Sequence, residues 1–241
     1  MAQALSGFLS VVVDPDRPRF LGPALADAIT GIYAAYGVLG ALFERSRTGS
    51  GRLVEVSMLE AMAHFAVEPF AAFFALDRAP QSSDRPRLAQ AYILRTAEGG
   101  LIAIHLSSLE KFWEGLVSAL TASTIGSDER FRTRQGRIDN YEALGAELDA
   151  QFSRHTLQYW AERLGANDVP FAPINRIDQV VQDPQVRHLG LVVPVERAHG
   201  GKQAVRPAVQ FDGARATHVT TAPLLDEHGA DILYGDRKSV V

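Results

Sequence analysis

Between Ile29 and Phe43 almost every residue is apolar or small. A helix of that composition predicts burial on most of its circumference, because a surface helix would show a polar face. Asp27 stands at its start. A carboxylate in such a place is costly unless hydrogen-bonded or paired, and a helix N-terminus offers free N–H groups and a positive dipole end. One reading makes Asp27 the N-cap, a position that favours aspartate. Another makes it chemically active.

The text after Asp27 bears on that choice. Residues 25–62 read LADAITGIYAAYGVLGALFERSRTGSGRLVEVSMLEAM, with Glu44, Arg45, Thr48, Gly49, Gly51, Val54, Val56, Ser57 and Met58 in fixed order through two helices, a glycine turn and a strand-like stretch. This run resembles the segment following the catalytic aspartate in the class III coenzyme A transferases, the CaiB/BaiF family that includes formyl-CoA transferase and α-methylacyl-CoA racemase. The resemblance implies an α/β fold: a partial Rossmann-like large domain with an inserted small α+β domain. It places large-domain residues at 1–84, the small domain at 85–175 and a return segment at 176–241. Residues 1–20 resemble a stretch well inside family members, so the chain is expected to be the C-terminal part of a longer protein. About the first third, which holds most coenzyme A contacts, would be missing.

Composition narrows the alternatives. With 241 residues, 46% hydrophobic and 22% charged, the chain can bury a real core. A net charge of −4 argues against nucleic acid as partner. The absence of cysteine excludes a disulfide framework and a thiolate nucleophile. Met1–Val13 lacks a basic n-region, and the apolar run of about 15 residues falls short of the roughly 20 that span a bilayer. A soluble cytoplasmic protein without membrane contact is expected.

Along the chain, Arg47–Arg52 is a glycine turn and Leu53–Met58 alternates as a strand does. Its Gly-x-Gly runs from helix to strand, the reverse of a dinucleotide fingerprint. Leu59–Leu76 reads as one apolar helix kinked at Pro69, with His64 and Glu68 spaced to pair on one face. No metal site is expected, because two such residues do not make one. Asp77–Leu88 is the best linker. Ala91–Thr96 and Leu101–Leu106 form a hairpin, Ser107–Glu110 a capping box, and helices follow to about Leu120 and over Arg137–Phe152 and Thr156–Leu164, the last closed by Gly165. Tyr159 and Trp160 read as core. Val169–Asn175 resembles the family's return strand, Asp183–Val186 its D-P-Q-V turn, and Pro223–His228 its P-x-L-G-E-H-T. There Asp226 and Gly229 replace the usual glycine and threonine. Leu191–Glu196 and Val205–Phe211 read as strands about a Gly200–Gly201 turn, and Gly235–Val241 does not look like the family's closing helix.

An ionised carboxylate needs no general base to attack a thioester carbonyl. In the family the aspartate attacks acyl-CoA, giving an anhydride and then an aspartyl-CoA thioester, and an incoming carboxylic acid takes the CoA. Such a site needs backbone donors for the oxyanion and exclusion of water. Ala26, Ala28, Thr30 and Gly31 would allow close approach of substrate; tight helix packing through Gly31, Gly37 and Gly40 accounts for them equally. The racemase branch needs a histidine upstream of the aspartate. The corresponding stretch here is Gln3-Ala4-Leu5-Ser6, which favours transfer over racemisation. Pro86–Gln90 lacks the glycines of formyl-CoA transferases, so an oxalate/formate pair is not supported. The coenzyme A thioester is a substrate with no covalently held cofactor, and CoA-binding residues are not assigned. The resemblance also implies an interlocked homodimer. The rival reading is a non-catalytic fragment, or a subunit needing a partner that supplies the N-terminal half.

Overall fold

The computed structural model describes residues 1–20, 22–107, 110–120, 123–196, 203–220 and 222–235. They form two compact units, 1–173 and 174–241. Helix and sheet are mixed, as expected.

The first unit opens with α1 (Ala2–Leu5) and a 3-10 turn at Phe8–Val11. Next comes α2 (Leu25–Thr48), ended by Gly49 in the left-handed region at φ 73°, whose N–H returns to the Arg45 carbonyl at 2.8 Å. At 24 residues, with a mean hydropathy of 1.4 over its most apolar window, α2 is long and apolar enough to cross a membrane, which the shorter apolar run did not suggest. The expectation of burial fails within the described residues. Only Ala26 and Ile29 are buried. Ile32 and Tyr36 are 69% and 76% exposed, and Leu39 and Phe43 are exposed beside them. These four lie at i, i+4, i+7 and i+11, one continuous apolar stripe.

Leu53–Ser57 forms no strand, so the alternation there was misleading. It packs back along α2: a Cβ on Gly37 would stand 2.8 Å from Val54 Cγ1, and Arg52 is ion-paired with Glu44. Gly31 and Gly40 have open space around them, so close packing explains only Gly37.

The expected single helix is two, α3 (Met58–Phe65) and α4 (Val67–Leu76), bent by 65° at Ala66. The bend precedes Pro69 because its ring would strike the carbonyl four residues back, at Phe65. Ser57 caps α3, accepting from Glu60 N–H at 3.2 Å. The linker is partly helical, as α5 (Asp84–Ala89).

The expected hairpin follows, β1 (Ala91–Arg95) antiparallel to β2 (Leu101–His105). Of the capping box, Ser108 and Leu109 lie outside the described residues; α6 (Lys111–Ala119) starts after Glu110 without a side-chain cap. The next predicted helix divides at Asn140 into α7 (Arg134–Asp139) and α8 (Tyr141–Phe152). Then α9 (Leu157–Ala166), capped by Thr156, runs through Gly165 and stops at Asn167. β3 (Phe171–Pro173) pairs antiparallel with β2.

Alternation turns Tyr92, Leu94, Ile102 and Ile104 inward against Trp113, Leu116, Leu144, Leu148, Phe152, Trp160 and Leu164. Each fully buried aliphatic side chain contributes about 1.5–3 kcal/mol. Phe152 and Trp160 stack at 4.0 Å, and Trp160 Nε1 donates to the Phe152 carbonyl at 2.8 Å, so these aromatics are core.

The second unit has α10 (Ile177–Val180), α11 (Pro184–His188), β4 (Val192–Glu196), β5 (Gln203–Val205) and β6 (Val219–Thr220). In its sheet β4 is central, antiparallel to β5 and parallel to β6. The D-P-Q-V turn is an N-cap: Asp183 accepts from Gln185 and Val186 N–H, with Pro184 in the first turn. The strand expected at Val205–Phe211 is not formed beyond Val205: β5 lies earlier, at Gln203–Val205, and Phe211 makes only an isolated bridge with Ala214; Gly200 and Gly201 lie outside the described residues. Asp226 takes the left-handed φ of 60° that glycine would favour, and a Cβ on Gly229 would fall 1.7 Å from Asp226 Oδ1. The two departures from the family pattern are therefore linked. A π-helical turn covers Asp231–Gly235, and residues 236–241 lie outside the description.

Candidate active site

The first turn of α2 is held from one side. Ala26 and Ile29 bury against Ala61 and Met62 of α3, with Ala2, Phe8, Leu25 and Tyr33 around them. Positions 26, 29 and 33 form the stripe that seats the helix, which sends Asp27 to its flank.

Asp27 is not the N-cap. That position belongs to Ala24, which has no side chain able to cap, and Asp27 lies within the first turn. Its carboxylate is exposed and has no hydrogen bond or ion pair among the described residues. The Leu25 and Ala28 N–H groups are taken by the Pro23 and Ala24 carbonyls at 2.8 and 3.2 Å. Those of Ala26 and Asp27 have no backbone acceptor among the described residues. The side chain thus stands beside N–H groups without backbone acceptors at the positive end of a 24-residue helix. One turn on, Gly31 leaves the flank open. Among the described residues nothing shields the exposed carboxylate from water.

His64 and Glu68 do not pair. The bend at Ala66 separates them; His64 Nδ1 meets Tyr33 Oη at 2.5 Å, and Glu68 meets Arg85 at 3.0 Å. Tyr33 and His64, with Glu55, Ser57 and Glu60, line a concavity of about 280 Å³ beside the same helix. Among the described residues no group of histidines and carboxylates could hold a metal ion. Gln3 and Ser6, where a racemase partner was sought, are buried on and just after α1.

Two features had no clear sequence signal. Tyr33 shares the seating stripe, but its partner 31 residues on could not be named. Arg137 reads as a surface helix residue and is 0% exposed. Its Nε donates to Gln90 Oε1 at 2.9 Å, Nη1 to the Phe131 carbonyl at 3.1 Å and Nη2 to Glu110 at 3.2 Å, and its guanidinium lies 4.5 Å from the Trp113 ring centroid.

Comparison with known proteins places these features in context. The profile of CoA-transferase family III matches residues 1–229. Succinate–glutarate CoA-transferase of Agrobacterium fabrum is 29% identical, over 97% of this chain and 59% of its own length. Human succinyl-CoA:glutarate CoA-transferase is 26% identical, over 98% and 56%. Acetyl-CoA:oxalate CoA-transferase of Acetobacter aceti is 25% identical, over 95% and 59%. A CaiB/BaiF family protein from Brucella suis superposes with a TM-score of 0.81 at 27% identity, covering 98% of this chain and 61% of that one. A hypothetical protein from Mycobacterium tuberculosis gives 0.74 at 26%, covering 95% and 61%. The chain thus spans under two thirds of the length of these relatives.

Proposed function

Because the chain belongs to CoA-transferase family III, we propose that it takes part in moving coenzyme A from an acyl-CoA to a carboxylic acid, with Asp27 as nucleophile. The observation that carries this is the free carboxylate of Asp27 at the head of α2, beside unpaired N–H groups. Asp27 attacks the thioester carbonyl, the C–S bond breaks, and the CoA thiolate leaves a mixed anhydride. The thiolate attacks the aspartyl carbonyl and releases the first acid, giving aspartyl-CoA. The second acid attacks that thioester, and the returning thiolate takes its acyl group and restores Asp27. Charge is conserved at each step, so no general base is needed.

Water exclusion at Asp27 and a cover for the α2 stripe are supplied, in this reading, by a second copy of the chain. The Glu44–Arg52 pair and the Val54 contact on α2 support a protein-covered helix in a soluble protein over a membrane span. Residues 85–175 act as the family's small domain on the Rossmann-like part. The rival, a partner-dependent subunit with no activity alone, draws on the same bare stripe.

The test is acyl-CoA/acid exchange by the chain alone and with an N-terminal partner, comparing wild type with Asp27→Ala. Loss of exchange with retained fold is expected. Exchange that survives the substitution removes Asp27 from the mechanism, and activity only with the partner selects the rival.

A further inference from the structure

Between α4, α5 and the 3-10 turn at Phe8–Val11 lies an apolar cleft of about 290 Å³. Val11 and Val12 line it from the turn, Pro69, Ala72 and Leu76 from one face of α4, and Leu88 from α5. These walls have not closed on one another: Leu76 and Leu88 are 64% and 54% exposed.

Polar contacts frame the cleft and keep it open. Arg85 of α5 pairs with Glu68 of α4 at 3.0 Å, and Arg78, just after α4, pairs with Asp84 of α5 at 3.0 Å. Asp84 also accepts from the Gln81 N–H at 2.9 Å, and the Leu88 carbonyl near the far end of α5 accepts from Arg134 at 2.7 Å. Pro69 and Pro80 add two wall positions whose φ is fixed by the ring. Apolar surface held apart in this way lacks the contacts that close packing gives, and a ligand of matching shape supplies them.

The charge pattern sets the chemistry of that ligand. Glu68, Asp84, Arg78 and Arg85 all line the cleft, two of each sign and each with a partner, so no unpaired charge awaits an ion. Gln81 and Ser82 line it too, and their side chains have no hydrogen bond among the described residues. Each offers both a donor and an acceptor. A hydrocarbon body suits the walls, and one uncharged polar head suits Gln81 and Ser82. At roughly 30 Å³ per non-hydrogen atom, the share of one water molecule in the liquid, the space holds about ten such atoms.

We propose that the cleft between α4 and α5 binds a neutral amphiphile: a hydrocarbon chain of about four to eight carbons carrying one hydroxyl, amide or ester group. Asp27 does not line this cleft, and the binding rests on no step of the transfer reaction.

The full chain, labelled at its leucine and valine methyl groups, is titrated at pH 7 and constant ionic strength with 1-butanol, 1-hexanol and sodium hexanoate and followed by NMR. Saturable shifts are expected at Val11, Val12, Leu76 and Leu88. Two added methylenes should make 1-hexanol about tenfold tighter than 1-butanol, and the charged head should make hexanoate about fivefold weaker than 1-hexanol. Ala72→Phe fills the cleft and should abolish the shifts. Gln81→Ala combined with Ser82→Ala leaves the apolar walls intact and should weaken 1-hexanol about fivefold, so it tests the head group even if Ala72→Phe fails to fold. Shifts no larger in the cleft than at the exposed Leu39 and Leu42 of α2, shifts that survive Ala72→Phe, hexanoate binding as tightly as 1-hexanol, or an unaffected double variant would each overturn the proposal.

Discussion

Tyr33 Oη and His64 Nδ1, 31 residues apart in sequence, meet at 2.5 Å with their rings edge to face at 5.4 Å, and so tie α2 to α3. The bond is on the surface, where water competes for both partners. Tyr33→Phe should therefore cost about 1 kcal/mol. His64→Ala made on the Tyr33→Phe background should cost measurably less than in wild type. Urea unfolding of the four-member cycle reads the coupling; strict additivity would mean the contact adds nothing to stability.

Glycines in α2 separate packing from helix propensity. Gly40→Ala meets open space and should stabilise by about 0.5–1 kcal/mol. Gly37→Ala should not, because its Cβ falls 2.8 Å from Val54 Cγ1, but it should gain on a Val54→Ala background. Thermal midpoints of the three variants decide this. An equal gain from Gly37→Ala alone would show that the 53–57 stretch moves aside freely.

Arg137 is the most buried charge described. Replacing it by methionine strands the buried Gln90 Oε1, while Glu110, whose side chain is half exposed, turns to water, so the loss should be about 1–3 kcal/mol. Denaturant unfolding checks this. A loss under about 1 kcal/mol would mean the methionine packs well enough to offset the missing bonds.

Glu98 accepts from the Leu157 N–H at 2.8 Å, and that bond holds its carboxyl below the usual value of 4.5. A depressed carboxylate lends stability that is fully present above its unfolded pKa and is lost as pH falls through the folded one. The urea midpoint should therefore decline below about pH 4.5, and Glu98→Gln should make that decline shallower. An unchanged acid slope in the variant would contradict this account.

Asp27 owes little to the fold. Lacking a partner, it contributes only its interaction with the helix dipole, about 0.3–1 kcal/mol. Asp27→Asn should shift the thermal midpoint by no more than a few degrees. A large drop would reveal a structural duty for the carboxylate.

The resemblance centred on residues 25–62 led to the family, and local patterns gave the hairpin, the Thr156 cap region and the aromatic core, because alternation, capping residues and turn glycines act over a few residues. What misled was also local. The apolar text of α2 predicted burial, yet burial depends on what lies opposite, and nothing among the described residues covers the stripe of Ile32, Tyr36, Leu39 and Phe43. The alternation at 53–57 needed a strand partner it does not have. His64 and Glu68 have pairing distance only if one helix spans both, and Pro69 forbids that. Arg137 could not be read as buried because its partners, Gln90 and Glu110, lie 47 and 27 residues away.

The 65° elbow at Ala66 owes its place to the pyrrolidine ring of Pro69 three residues on. A break specified by covalent structure persists in solution without any complementary surface. A surface binding the exposed Phe73 and Phe74 on its outer arm would therefore not have to form that break, which lowers the ordering entropy such binding would cost.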